Sequence, residues 1–447
     1  MAFNSDVLLE RLRALTAGST PRRWLVAYSG GIDSTVLLHA LADSAGDTPI
    51  LAIHIDHDLH PDSAAWAENA RRFAGDLGVD FAARRVQIDA RMPQGPEAAA
   101  REARYSALNE FVVEGDCLLS GHHESDQAET LLLNLVRGSG PAGLAGIGAR
   151  QVFGRGLLLR PMLGVPGEEI AAYAEKHALR WIEDPSNKED RFDRNFVRQE
   201  IVPRLKCRWP AVVNRLTLSS TLLDEANELL QELADIDIAS CGGPAALSLA
   251  AMNALSESRQ RNLLRRAIRL CGLPPPPATR LYQAVQELIP ARPDAQPLIA
   301  WPGAELRRYR EHIYVLPALD ESPENPQRLL IANGEPVDLG NKLGSLQLVA
   351  ADAPGLCPAV AGNGLQICFR EGGESLRIAK DGSTRKLKKL MQEHGVLPWM
   401  RDRLPLLYAG RELVAVADLW VSADHSADRG LVVNWQEKPL IYCEHSL

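Results

Sequence analysis

Between Arg23 and about Arg208, short apolar runs alternate with longer stretches whose apolar residues recur at helical spacing. Trp24 to Tyr28, Ile50 to Ile55 and Cys117 to Ser120 read as strands, and Asp62 to Leu77 and Glu97 to Phe111 as helices. The alternation predicts a parallel sheet covered by helices, in which ligands sit beyond the carboxyl ends of the strands. Loops after Tyr28, Ile55 and Ser120 are therefore expected to converge on one crevice.

From Ala211 to Leu273 the pattern is helical, with Leu222, Leu223, Ala226, Leu229 and Leu230 at helical spacing, and it stops at Pro274 to Pro277. Arg280 to Ile289 reads as one more helix and Pro297 to Leu316 as short strands, while Asp320 to Pro326 has linker composition. Further on, Leu413 to Ala417 and Leu431 to Val433 read as strands and Thr384 to His394 as a helix. The expected division is an α/β catalytic domain over 1–210 and a mainly helical domain over 211–318. A linker with short strands over 319–363 and a small α+β domain over 364–447 would follow.

The 447 residues are 46% hydrophobic, without an apolar run long enough for a membrane span, and the first residues lack the apolar core of a signal peptide. A cytoplasmic protein with no membrane partner is expected. Seven scattered cysteines without a C-x-x-C pair argue against a disulfide frame or zinc ribbon. The net charge of −8 argues mildly against nucleic acid, but local basic clusters steer polyanions more than the total does.

Ser29-Gly30-Gly31-Ile32-Asp33-Ser34 joins the first strand to a helix, as a phosphate loop does. Adjacent glycines permit a tight turn that presents N–H groups to an anion, and the helix N-terminus and hydroxyls add to the cradle. No Gly-Lys-Ser/Thr ending supplies a lysine for β- and γ-phosphates, so cleavage between the α- and β-phosphates is the better expectation. Asp33 reads either as a magnesium ligand or as a helix cap.

His54 and Asp56 close the second strand on one side, with His57, Asp58 and His60 beyond, and they suit the rim of a nucleotide crevice better than a zinc site. Gly121-His122-His123 opens a helix on which His122, Asp126 and Glu129 fall at i, i+4 and i+7, either as a solvated face or as a substrate-facing stripe. Glu97 and Arg101 fit an i,i+4 surface pair equally well as a site. Arg191, Arg194 and Arg198 interleave with Phe192, Asn195 and Phe196, a combination suited to phosphate contact and base stacking or to structural ion pairs. Arg307-Arg308 and Arg385-Lys386-Leu387-Lys388-Lys389 are the densest basic runs and suggest a long polyanion such as folded RNA.

Taken together, the Ser29 to Ser34 loop, Gly121-His122-His123, Asp126 to Thr130, Arg101 to Tyr105, Trp181 to Asn187 and Asp193 to Arg198 resemble the tRNA(Ile)-lysidine synthetase family of PP-loop ATP pyrophosphatases. The likeness continues through Trp301 to Tyr309, Leu387 to Leu390, Pro398 to Arg401 and Pro405 to Tyr408. Ser125 and Asp58 depart from the family's usual Asp-Asp-Gln and His-Gly-Leu.

The resemblance implies a Rossmann-like PP-loop domain and an enzyme using ATP and Mg2+ to join free L-lysine to the wobble cytidine of an isoleucine tRNA with a CAU anticodon. It would act as a monomer or homodimer. It implies catalytic roles for Asp33, His123, Asp126, Glu129 and Arg104, with Asp33 and Asp126 as metal ligands. Ser29, Gly30, Gly31, Ile32, Asp33, Ser34, His54, Asp56 and Gly121 would bind the nucleotide. Arg101, Arg191, Arg194, Asn195, Phe196, Arg198, Arg307, Arg308, Arg385, Lys386, Lys388, Lys389 and Arg401 would face tRNA. A PP-loop cytidine thiolase and a non-catalytic RNA-binding protein are the alternatives; pyrophosphate release dependent on tRNA and lysine separates them.

Overall fold

The computed structural model describes residues 2–56, 62–87, 96–183, 193–292, 295–319, 329–330, 334–362, 364–378 and 382–439. The chain divides into two compact units, 1–229 and 230–447.

The first unit opens with α1 (Ser5–Leu15), β1 (Arg23–Ala27), α2 (Ile32–Ser44), β2 (Ile50–Asp56), α3 (Ser63–Asp76), β3 (Asp80–Arg85) and α4 (Pro96–Asn109). It continues with β4 (Asp116–Leu119), α5 (Glu124–Val136), α6 (Pro141–Leu144), β5 (Arg150–Phe153), β6 (Gly156–Leu159) and α7 (Gly167–Lys176). After α8 (Asp193–Phe196), a π turn over Val197–Ile201 and α9 (Val202–Arg208), the long α10 (Val212–Ser240) begins.

The strands form one sheet in the order β3-β2-β1-β4-β6-β5, parallel except for the β5–β6 hairpin. Because β1 pairs with β2 on one side and β4 on the other, the strand order reverses at β1, where such sheets open their crevice. Trp24, Leu25 and Val26 are all buried, since a central parallel strand is covered on both faces. One face packs Trp24 and Val26 with Val36, Leu37 and Leu41 of α2; the other packs Leu25 with Ile53, Leu108 and Leu118.

The apolar run at Cys117 is the fourth strand rather than the third. The preceding β3, Asp-Phe-Ala-Ala-Arg-Arg, lies at the sheet edge with its charged side chains exposed, so it has no apolar run of its own.

In the second unit, α10 is followed by β7 (Ala246–Ser248), α11 (Leu249–Asn253), α12 (Glu257–Leu270), α13 (Ala278–Glu287), β8 (Leu298–Trp301), β9 (Ala304–Tyr309) and β10 (His312–Pro317). The four strands make an antiparallel sheet, β7-β10-β9-β8, on a core that includes Leu263, Leu264, Ala267, Leu281 and Ile313. The segment expected as a linker with short strands contains the strand Ser345–Ala350, paired along its length with Leu431–Gln436 and burying Leu346 and Leu348. Thr384–Lys386, expected to be helical, pairs instead with Ser375–Arg377, and the helix begins at Leu387.

Candidate active site

Gly30 sits at φ +86°, and a Cβ there would lie 2.7 Å from Ile182 Cδ1. Only glycine enters that region without strain. The Ile182 amide donates to the Gly30 carbonyl at 2.9 Å, so the chain after α7 closes over the turn. Ser29 and Ser34 hydroxyls meet at 3.1 Å; the Gly31 amide donates to Ser29 Oγ at 3.3 Å, and Ser34 Oγ to the Gly31 carbonyl at 3.0 Å. Gly31 is the N-cap of α2 and no side chain caps this helix, so Asp33 in the first turn is spared capping duty.

Gly121, just past β4, comes within one methyl group of that turn: a Cβ on it would stand 3.1 to 3.2 Å from Asp33 backbone and Cβ atoms. This close approach brings the ends of β1 and β4 together. His123 is the N-cap of α5, its Nδ1 accepting the Ser125 amide at 3.3 Å, while Asp126 Oδ2 accepts the His123 amide at 2.9 Å. An accepting Nδ1 places the proton of the neutral ring on Nε2. That Nε2 lies 3.6 Å from both Asp33 Oδ1 and Asp126 Oδ2, a donor between two carboxylates.

Asp126 and Glu129 are 8% and 2% exposed, which excludes the solvated-face reading of this stripe. Arg194 donates to Asp126 Oδ1 at 2.7 Å and Glu129 Oε2 at 3.0 Å; Arg198 donates to Glu129 Oε1 at 2.7 Å and Asp126 Oδ1 at 3.2 Å. Buried carboxylates are held by paired guanidinium groups in this way. Burial alone would raise the Asp126 pKa, but His123, Arg194 and the hydrogen bond from the His123 amide outweigh it and hold the carboxyl low. Asp33 goes the other way: burial, reinforced by the Asp126 charge, raises it despite His123 and Arg198.

His122 precedes the helix and is no part of its stripe. Its Nδ1 meets Ser120 Oγ at 2.8 Å, and burial, with Arg160, Arg194 and Arg101 adding to it, pushes its pKa down to about 3. His54 is buried at the end of β2 with Nδ1 3.0 Å from the Tyr28 carbonyl, and Asp56 pairs with Arg85 at 3.4 Å. His54 thus braces the strand carrying the loop. Arg101, lying 4.9 Å from the Tyr105 ring centroid, and Arg104 are exposed on α4. Phe196 is 46% exposed and Asn195 half-buried on α8. Arg191, His57, Asp58, His60 and Asp184 to Asn187 lie outside the described residues, as does the Glu97 side chain.

Two residues that sequence reading gave no role also shape the crevice. Gln127 is buried, donates to the Ala145 carbonyl and Ser220 Oγ at 3.0 Å each, and accepts the Ile147 amide at 2.7 Å, which fixes the back of α5. Arg160, 3% exposed, follows β6 and donates to the Gly148 carbonyl at 2.6 Å. The position of Arg160 just beyond an apolar strand was the available signal.

The donor chemistry can be set against a magnesium ion, which takes one or two carboxylates plus phosphate oxygens and water. The Asp33 side chain is 41% exposed beside the loop and fits such a ligand set. Both Asp126 oxygens already accept protein hydrogen bonds, so this carboxylate fits it poorly. Among the described residues no group of three or more His, Cys, Asp or Glu side chains could hold a metal by itself.

Residues 5–205 match the PP-loop domain, 247–314 the TilS substrate binding domain and 365–435 the TilS substrate C-terminal domain. The tRNA(Ile)-lysidine synthase of Alkalilimnicola ehrlichii is 44% identical over 411 residues, covering 91% of this chain and 92% of that protein. The chain belongs to the tRNA(Ile)-lysidine synthase family. The Xanthomonas campestris pv. campestris (strain 8004) enzyme of that name is 39% identical over 413 residues, covering 92% of this chain and 93% of its own. A solved U34-tRNA thiolase, NcsA from Methanococcus maripaludis, aligns with 49% of this chain and 79% of its own at 19% identity and a TM-score of 0.41. The PP-loop ATP-binding region of this synthase family holds every crevice residue named above except Ser220.

The second unit treats the expected RNA-facing residues unequally. Arg308 is 7% exposed and donates to the carbonyls of Leu288 at 3.1 Å, Ile289 at 2.8 Å and Ala291, which terminate α13. Its guanidinium is thus turned inward and engaged with the main chain. Arg307 pairs with Glu305 at 2.6 Å and lies 5.4 Å from the Trp399 ring centroid. Arg401 donates to the Val396 carbonyl at 3.0 Å and Tyr309 Oη at 3.1 Å. Lys386, Lys388 and Lys389 are exposed; Arg385 is half-buried and pairs with Glu393 at 2.9 Å. No helix among the described residues is long and apolar enough to cross a membrane.

Proposed function

We propose that this protein activates the wobble cytidine of a CAU-anticodon isoleucine tRNA with ATP and joins free L-lysine to it, releasing pyrophosphate and then AMP. The observation that carries the reading is the buried Asp126–Glu129 pair, clamped by Arg194 and Arg198 and set against Asp33 and the Gly30-Gly31 loop, in a chain of the lysidine synthase family. Family membership favours this ligase over the thiolase and non-catalytic alternatives.

In the first step the cytosine 2-carbonyl oxygen attacks the α-phosphate. Amides of the loop and the α2 N-terminus receive the charge growing on pyrophosphate, and the His123 Nε2–H offers a hydrogen bond to a phosphate oxygen. Asp33 would hold Mg2+, which supplies charge neutralisation of the phosphates when bound.

In the second step lysine attacks as the free amine although its ε-ammonium has a pKa of about 10.4 in water. Asp126 and Glu129 orient the ammonium. The proton goes to a carboxylate of the crevice. As the lysine nitrogen–C2 bond forms, the bond from C2 to the AMP oxygen breaks and AMP leaves. We further propose that the accessory regions bounded at 211–318 and 364–447 grip the remainder of the tRNA.

The test is incubation with ATP, magnesium, radiolabelled lysine and total bacterial tRNA. Label should enter an isoleucine tRNA, and Asp33→Ala should abolish incorporation while tRNA binding persists. Incorporation unchanged in that variant would overturn the role of Asp33; label in no tRNA with the wild type would overturn the function.

A further inference from the structure

Buried acids are matched with arginines throughout the described residues, with one exception. Asp56, Asp116, Asp126, Glu129, Asp237 and Glu305 each pair with an arginine. Glu124, in the first turn of α5 and 6% exposed, has no cation among the described residues. The Asn214 side-chain amide donates to its Oε1 at 3.3 Å, and its Oε2 accepts no hydrogen bond from them. Taking an ionised carboxylate out of water is costly unless a cation or several donors replace the lost hydration, and the α5 N-terminus offsets only part of that cost.

Glu124 lines a cavity of about 340 Å³ in the first unit, where the starts of α5, α7 and α10 meet the end of α9. Pro166, Pro210 and Val213 give it apolar walls, and its other charged residues are Glu168 and Lys206, whose Oε1 and Nζ lie 3.5 Å apart. With that pair cancelling, the lining keeps one net negative charge, and it belongs to Glu124. Asp126 and Glu129 lie about 200° and 140° round the same helix from Glu124, so the cavity is separate from the carboxylate pair of the crevice.

We propose that this cavity binds an aliphatic primary ammonium group, with the charge on Glu124 and the methylenes against the apolar walls. An ammonium carries one positive charge and three donors, which are what Glu124 lacks. A divalent metal does not fit, because one carboxylate among apolar walls falls short of the oxygen ligands such an ion takes. A diamine and the side chain of free lysine both carry the group. The net negative lining favours the diamine, since the lysine carboxylate would add a second anion near Glu168. The site is additional to the ligase reading, and its test uses neither ATP nor tRNA.

The experiment is a titration of the full chain with cadaverine at constant ionic strength, followed by the backbone amide resonances of Ser125, Gly167, Ala211 and Asn214. These should shift saturably with a Kd of about 1 mM, the range open to a ligand of so few atoms, and 1-pentanol should leave them in place. Glu124→Gln should weaken binding about tenfold or more, with a melting temperature at or above that of the wild type because an unpaired buried charge is gone. Lys206→Gln should tighten binding about twofold to threefold, since it leaves both acids of the lining to the ligand.

L-lysine differs from cadaverine by its carboxylate and separates the two sources: cadaverine should bind about threefold more tightly at these amides. Lysine binding there as tightly or more tightly would make the amino acid the occupant and overturn the preference for a diamine. Absence of a saturable shift in the wild type, an affinity unchanged in Glu124→Gln, or weaker binding in Lys206→Gln would overturn the site itself.

Discussion

Arg194 and Arg198 in the first unit and Arg308 in the second come from equally basic stretches, yet they settle in opposite surroundings. The first pair faces two buried carboxylates, Asp126 and Glu129, whose charges another cation can share. Arg308 is answered by backbone carbonyls at a helix end, which are fixed by the fold. An arginine opposite exchangeable charge belongs to a site; one opposite carbonyls belongs to the architecture.

Glu129→Ala should give the largest effect on the site side of this contrast, lowering lysine ligation by about 10²- to 10³-fold in kcat/KM, because both guanidinium groups lose their principal anchor. Single-turnover kinetics with preformed adenylated tRNA checks it; a loss below tenfold would place Glu129 with the architecture instead.

Arg308→Ala should do the reverse. Leaving two buried carbonyls and the half-buried Ala291 carbonyl without their donor costs roughly 3 kcal/mol of stability in the second unit, measurable by denaturant unfolding, with ligation at low temperature retained. Asp126→Asn should cost roughly 2 kcal/mol near neutral pH. Because the folded-state pKa of Asp126 is lowered, that stabilisation is fully present above the unfolded carboxylate range near pH ~4 and is lost as pH falls through the folded value. The gap between wild type and variant should therefore close in acid, which melting curves taken from pH 7 downward would show.

Arg307→Ala should have the smallest effect, about 1 kcal/mol or less, since its side chain is a quarter exposed beside Glu305. A larger loss would move Arg307 into the class of Arg308.

Much of the fold was legible because its central strands are apolar along their length: Trp24 to Tyr28 could be little else than a buried strand. The edge strand Asp80–Arg85 was not, because its charged residues serve solvent and leave no apolar run. In the crevice, the glycine pair and the Asp126 to Thr130 stretch were visible as motifs, and the structure brings Asp33, His123, Asp126, Glu129, Arg194 and Arg198 together. Their burial was not visible, since Asp126 and Glu129 have the spacing of an ordinary wet helix face until α8 and the π turn cover them.

In the second unit the Arg307-Arg308 run divides between two faces, whereas Lys386, Lys388 and Lys389 are all exposed. Adjacent arginines on a strand point to opposite faces, so Arg307-Arg308 could not present one surface.

His122 bears on how the enzyme responds to acidity. With its pKa pushed down to about 3, the imidazole beside Ser120 carries no charge anywhere in the range where imidazoles ordinarily titrate. His122 therefore adds no change of charge to the crevice as acidity varies around neutrality, and a bend in the rate profile near pH 6 to 7 would have to originate in another ionisable group.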